Sequence, residues 1–463
     1  MSDQATSTFE KSLRGRLVRP TDADYDAVRA LYNGMIDKRP RLIARCVDAA
    51  DVITAVNFAR NEGLLLAIRG GGHNGPGLGS CNDGLMIDLS TMKSVRVDAA
   101  SRTVRVDPGC TSGDVDHATH AFGLAVPFGI VSTTGVAGLT LGGGTGYLTR
   151  RHGLTIDNLL EADVVLADGS FVTASKSQHP ELYWALRGGG GNFGVVTSFL
   201  FQAHTVDNVY AGPIFWEATH AKTIMRTYRD FLPTASEDLG IFVGLKTVPP
   251  MDPFPKDYWG KRACAIIGAY NGSAADGERA MAPLLKSLPA PIFNWMGAMP
   301  FPSINALFDP FFPKGLQWYW KGDYVKDLPD EAIETHVAQA AAAPSDLCLM
   351  HLYPIDGAVH RVPRDATAWS TRDARWSMVI AGIDPDPKKA DALKTWGRAY
   401  WKAVHPYNLA GAYVNFMMDD EAAGRVQATY GDNYARLALV KAKYDPRNLF
   451  RVNQNIEPAP AVA

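Results

Sequence analysis

The sequence predicts an α+β protein of two domains, and three observations carry that expectation. The 463 residues exceed what one hydrophobic core usually covers. Up to about Ala203, short apolar strands alternate with amphipathic helices and glycine-rich turns. Beyond it, proline and aromatic residues increase, as in Val248-Pro249-Pro250-Met251-Asp252-Pro253-Phe254-Pro255 and Phe308-Asp309-Pro310-Phe311-Phe312-Pro313. The strands there suit an antiparallel sheet carrying helices on one side.

The elements follow in order. Thr21-Asp22-Ala23-Asp24 reads as a capping box before a helix bearing Tyr25, Val28, Leu31 and Tyr32. Leu42-Ile43-Ala44 is a short strand. Asp51 to Glu62 is a helix with Val52, Val56 and Ala59 on one face, stopped by Gly63. The strand Leu64 to Arg69 enters a glycine run. Ser94 to Asp98 and Thr103 to Asp107 alternate cleanly around a polar link, a hairpin signal. A helix from Ser112 to Ala121 ends at Gly123, and Asp168-Gly169 turns a second hairpin from Val164 to Thr173. Val195 to Gln202 is a strand. In the second half, strands at Ala263 to Ala269, Leu347 to Tyr353 and Trp376 to Gly382 alternate with helices at Ala275 to Leu288 and Pro385 to Val404.

Three glycine blocks carry the chemistry. They are Arg69-Gly70-Gly71-Gly72-His73-Asn74, Leu141-Gly142-Gly143-Gly144-Thr145-Gly146 and Arg187-Gly188-Gly189-Gly190-Gly191-Asn192-Phe193-Gly194. Glycine lets the backbone turn with its N–H groups inward, a concave nest for anionic phosphates. Three such turns in one half of a chain suggest a large, phosphate-bearing cofactor. The spacing of a dinucleotide fingerprint, with its helix and acidic residue some ~20 positions on, does not occur together.

These blocks, in this order, resemble the FAD-binding half of the vanillyl-alcohol oxidase / p-cresol methylhydroxylase superfamily. The segment Tyr444-Asp445-Pro446-Arg447-Asn448-Leu449-Phe450-Arg451-Val452-Asn453-Gln454-Asn455-Ile456 is similar to the tail of its berberine-bridge-enzyme-like branch. That branch includes bacterial 6-hydroxynicotine oxidases and sugar oxidases. The resemblance implies a two-domain vanillyl-alcohol-oxidase-type fold. An FAD domain of two α/β subdomains would form from residues 1–205 and return at 411–463, with a substrate domain at 206–410.

It also implies site residues. Arg69, Gly70, Gly71, Gly72, His73 and Asn74 would hold FAD, with His73 bonded to the 8α-methyl, a link that raises the flavin's reduction potential. Many relatives add a cysteine bond just before the second block. Here Val131 stands at that position in Val131-Ser132-Thr133-Thr134-Gly135-Val136-Ala137-Gly138, and Cys110 lies well upstream, so a single link is expected. Gly135, Gly138, Gly142, Gly143, Gly144 and Gly146 would let backbone approach the flavin, with Tyr147 stacking nearby or serving as a core aromatic. Asp157 and Asn158 would line the isoalloxazine and ribityl region. Gly194, Val195 and Val196 would hold the adenine end, and Asn453 and Asn455 belong to the tail.

Thr134 followed by Leu139 is also reminiscent of oxygen-inserting enzymes that form a flavin-N5-oxide. Tyr413, in Tyr413-Val414-Asn415-Phe416, matches a segment where a tyrosine acts as base or orients substrate. An ordinary phenol, pKa ~10, needs a partner to abstract a proton at neutral pH, and Lys321 is a candidate. His351 and Tyr353 share one strand face. With Trp318, Tyr319, Trp320 and Phe416, the pocket is expected to be aromatic-rich and net neutral. A small apolar or aromatic substrate and O2 are the expected partners, with a flavin-bearing protein without turnover as the alternative of another class.

Composition narrows the rest. Lys and Arg total 46 against 48 Asp and Glu, a formal net charge of -2, which gives no reason to expect nucleic acid. The five cysteines are scattered without a CxxC pair, so neither a zinc site nor a disulfide framework is expected. No signal-peptide pattern and no apolar run of ~20 residues occurs, so a cytoplasmic protein off the membrane is expected, as a monomer or homodimer.

Overall fold

The structure is a computed structural model that describes residues 2–421 and 423–460. Two larger sheets, with a two-stranded ribbon of Leu124–Ala125 and His204–Thr205, build the N-terminal half. The first orders its strands Arg16–Val18, Leu42–Arg45, Leu85–Asp88, Leu66–Arg69, the last three mutually parallel. Helix Ala49–Asn61 makes the crossover. The Asp48 carboxylate accepts from Asp51 N–H at its start, and Val52, Ala55, Val56 and Ala59 pack against Leu42, Leu66 and Ile87. The first glycine block therefore leaves the C-terminal end of an edge strand in a parallel sheet, where α/β proteins place ligands.

The second sheet is antiparallel, in the order Val95–Asp98, Thr103–Val106, Val195–Gln202, Leu159–Val165, Phe171–Ser175. Both hairpins expected from the alternating pattern are present.

An eight-stranded antiparallel sheet follows. Its central strands run Asn208–Glu217, Arg262–Tyr270, Leu239–Thr247, Leu349–Pro354, Trp376–Asp384 and Gln317–Val325. Helices Ala221–Phe231, Ala274–Lys286, Asp330–Ala341 and Ala390–Val404 bury one face through Ile224, Leu284, Ile333 and Trp396. The other face carries a second apolar cluster that includes Phe242, Trp318, Trp320, Tyr353 and Val379. Strand period two divides the two faces residue by residue.

The chain then returns. Leu437, Val440 and Tyr444 of helix Tyr434–Tyr444, with Ile456, join the core formed by Leu182, Trp184 and Phe193. One local expectation is corrected. The early helix spans only Tyr25–Arg29, and Asp24 makes no side-chain cap, because its carboxylate is drawn into a bidentate contact with Arg16. Leu31 and Tyr32 lie beyond that helix. No helix among the described residues is long and apolar enough to cross a membrane.

Candidate active site

A cleft with about 2220 Å³ of empty space, its open mouth included, is lined by all three glycine blocks and the aromatic face of the large sheet. Glycine-block backbone and an aromatic wall in one cleft suit a dinucleotide beside a flat substrate.

The first block turns at Gly72, whose φ of +70° favours glycine. At Gly71 the chain meets the loop before the second block so closely that a Cβ would stand 2.5 Å from Gly135 Cα. Among the described residues, no group accepts from the N–H of Gly71, Gly72, His73 or Asn74. The result is a backbone nest open to an anion. Arg69 lines the cleft, but its guanidinium is committed to the buried Asp88 carboxylate, 2.6 Å away.

His73 stacks on Tyr32, ring centroids 3.6 Å apart, and its Nε2 lies 3.2 Å from Thr133 Oγ1. Burial pushes the imidazole down to about 4, so it is neutral at physiological pH. Tyr32 is held by its N–H donating to Gly72 O and its hydroxyl donating to Phe312 O. Sequence reasoning placed Tyr32 on a helix and missed this role; no local signal marks it.

Val131, Thr134, Gly135, Gly138 and Leu139 line the cleft, as do Gly194, Val195, Val196 and Asn453. The five cysteines are buried, and none lines it. The second glycine block behaves differently from expectation. A Cβ at Gly142 would meet the Asn415 amide, at Gly143 the Trp369 ring, at Gly144 Thr155 and at Gly146 the Phe128 carbonyl. These glycines serve close packing of the chain on itself, and only their neighbours Leu141 and Thr145 reach the cleft. Tyr147 packs on Phe242 as a core aromatic. Asp157 is bound by both Arg372 nitrogens at 2.8 Å, and the Asn158 amide donates to the His152 and Leu154 carbonyls. Both shape the turn and neither lines the cleft; Asn455 does not line it either.

The tail is anchored by Lys441. Its ammonium donates to the Asn192 carbonyl, the Phe450 carbonyl and the Asp445 carboxylate, all within 2.9 Å and fully buried. Asn453 then donates to Gly191 O.

On the large sheet, period two sends Trp318 and Trp320 into the cleft and Tyr319 and Lys321 to the opposite face. Lys321 is paired there with Asp420 and Glu421, each at 2.7 Å, so it is no partner for Tyr413. His351 lines the cleft, with Nδ1 2.7 Å from the Tyr353 hydroxyl, and its ring lies over Gly244, where a Cβ would stand 2.6 Å from Cδ2. Burial holds His351 well below its ordinary pKa. The Tyr413 hydroxyl oxygen accepts from Gly144 N–H at 2.9 Å and from the Asn415 amide at 2.7 Å. These donors favour the phenolate, but burial outweighs them and lifts Tyr413 to about 12. It is a neutral hydroxyl at physiological pH. The expectation of a net-neutral pocket fails at Lys246, which also lines the cleft and was missed because its strand, Leu239–Thr247, is apolar and glycine-broken in sequence.

Comparisons with known proteins identify the family. The FAD binding domain family matches residues 40–175, and the family described as berberine and berberine like matches residues 412–457. An FAD-linked oxidoreductase of Dictyostelium discoideum is 30% identical over 458 residues, covering 98% of this chain and 97% of that protein. The chain belongs to the berberine-bridge-enzyme-like FAD-linked oxidoreductases. (R)-6-hydroxynicotine oxidase of Paenarthrobacter nicotinovorans is likewise 30% identical over 466 residues, covering 96% of this chain and 97% of that one. The crystal structure of 6-hydroxy-D-nicotine oxidase from Arthrobacter nicotinovorans has TM-score 0.86 at 27% identity, over 97% of this chain and 99% of that one. The α+β, vanillyl-alcohol-oxidase-type architecture is therefore the fold of this FAD-linked oxidoreductase.

The residues present fit FAD. Among the described residues, buried Tyr430 Oη, Thr145 Oγ1 and Asn453 Oδ1 have no partners, and they line the same cleft as the acceptor-free amides of the nest. Buried polar groups are ordinarily paired, so this set suits a ligand rich in acceptors and donors.

Proposed function

We propose that this flavoenzyme oxidises a CH–OH or CH–NH carbon of a small, largely aromatic metabolite. FAD supplies the hydride acceptor, and O2 takes up the two electrons to give hydrogen peroxide. Gly71, Gly72 and Asn74 hold the cofactor, and His73 attaches it by one covalent link. The neutral His73 nitrogen lone pair and a cleft without cysteine both support single attachment. Residues 1–205 and 411–463 form the FAD domain around a substrate domain at 206–410.

The observation that carries the substrate side is Tyr413. Its oxygen already accepts two N–H bonds, so its own proton is left to donate toward a substrate oxygen or nitrogen. Tyr413 therefore orients the substrate as a donor. Trp318, Trp320, Tyr353 and Phe416 supply flat walls.

Thr134 and Leu139 both line the cleft, which keeps a second reading in view, oxygen insertion by an enzyme of the same fold. Anaerobic screening of secondary alcohols and cyclic amines for flavin bleaching tests both. Bleaching followed by peroxide on admitting oxygen is the oxidase result. Incorporation of labelled oxygen into product selects insertion, and a flavin inert to dithionite and sulfite sinks turnover altogether.

A further inference from the structure

Lys246 stands on strand Leu239–Thr247 in the middle of the aromatic wall, and among the described residues no carboxylate lines the cleft around it. Its surroundings are ring faces: Nζ lies 5.0 Å from the Phe308 centroid, 5.9 Å from Phe215 and 6.0 Å from Phe312. Among the described residues, no Asp or Glu lines the cleft. The other strong cation there, Arg69, is already paired with Asp88. Trp318 Nε1 and Trp320 Nε1, on the same wall, are buried donors without acceptors among the described residues.

Ring faces contribute only ~0.5–2 kcal/mol to a cation. Burial works against the charge, lowering Lys246 to about 8, so the rings do not replace the water lost. A cation half-buried among rings is ordinarily paired, and here the missing partner is an anion.

The cofactor's phosphates have their own nest at the first glycine block. Lys246 is separated from it by a series of rings, Tyr32 on His73 (3.6 Å), Trp318 on Tyr32 (5.6 Å) and Phe312 on Trp318 (5.5 Å). The anion therefore comes with the substrate. We propose that Lys246 binds a substrate carboxylate, making the substrate an aromatic or heterocyclic acid. This rests on the oxidase reading and names its substrate class.

The test uses the flavin-loaded protein, with benzoate and the neutral benzamide as probes and the visible flavin spectrum as readout. Benzoate should bind more tightly by ~10-fold or more, the usual worth of a hydrogen bond to a charged group. Lys246→Met should erase the preference while keeping flavin content and dithionite bleaching, and Lys246→Arg should retain it. Equal binding of the two probes in the unaltered protein overturns the proposal, as does a preference that survives Lys246→Met. Loss of flavin in Lys246→Met overturns it too, by assigning the lysine to the cofactor. If the unaltered protein carries no reducible flavin, the oxidase reading fails instead. Quenching of Trp318 and Trp320 fluorescence then reads the two probes directly.

Discussion

The ring of Tyr32 lies against the imidazole of His73, with planes 22° apart and centroids separated by 3.6 Å. This contact fixes the one histidine in the first glycine block and covers one face of its ring. The neutral imidazole that results is a nucleophile, which a protonated one is not.

Acid-precipitated protein should accordingly keep its yellow, fluorescent flavin, and His73→Ala should release it into the supernatant. Complete loss of colour from the unaltered precipitate would rule out the covalent link.

Tyr413→Phe should leave flavin content intact and slow anaerobic flavin reduction by ~10–100-fold, the usual cost of removing one partner of a buried hydrogen bond. Because the hydroxyl ionises only near about 12, the reduction rate of the unaltered enzyme should show no inflection from it between about pH 6 and 9. Unchanged single-turnover reduction in Tyr413→Phe would move the role to His351.

Asp116 is buried on helix Ser112–His120 with one oxygen accepting from the Asn305 amide and the other unpaired. Burial raises it to about 7 from an ordinary 3.8. The folded state thus favours the protonated form. Stability from this group is full below about 4 and lost as pH rises through about 7, by at most on the order of 4 kcal/mol. Asp116→Asn should melt higher than the unaltered protein at alkaline pH and level this part of the profile. Parallel melting curves for the two proteins across that range would refute it.

Lys441→Met leaves Asp445 buried without its counter-charge, a change that costs ~3–5 kcal/mol in comparable cases. Melting temperature should fall and flavin should dissociate or load poorly. A fragment ending near Ala203, which lacks Asn453 and the whole tail, should hold no FAD. Stoichiometric flavin in that fragment would contradict the domain assignment.

Legibility in the sequence followed the range of the interactions. Hairpins at Val95–Asp98 with Thr103–Val106, and the strand Val195–Gln202, are written in local alternation, and they appear where expected. The turn at Gly70 to His73 is legible because it directly follows the short apolar strand Leu66–Arg69. Gly142, Gly143 and Gly144 look alike in sequence, yet their neighbours are Asn415, Trp369 and Thr155, partners that no window around residue 143 contains. Lys321 was misplaced for a smaller reason. In Trp318-Tyr319-Trp320-Lys321 every residue suits either face, so the phase of the alternation is set by the helix Ala390–Val404 packed behind it. Tyr32 and Lys246 were illegible because each takes its meaning from rings far away in the chain.

The contacts of Lys441 with Asn192 and Phe450 also impose an order on biosynthesis. The third glycine block leaves the ribosome early, but the residues that clamp it, 441–456, are translated only after the entire eight-stranded sheet. During that interval Phe193, Leu182 and Trp184 lack the cover that Leu437 and Val440 later give them. Residues 450–454 are thus the last wall of the cleft to be added, and the clamp on the third glycine block closes only with them.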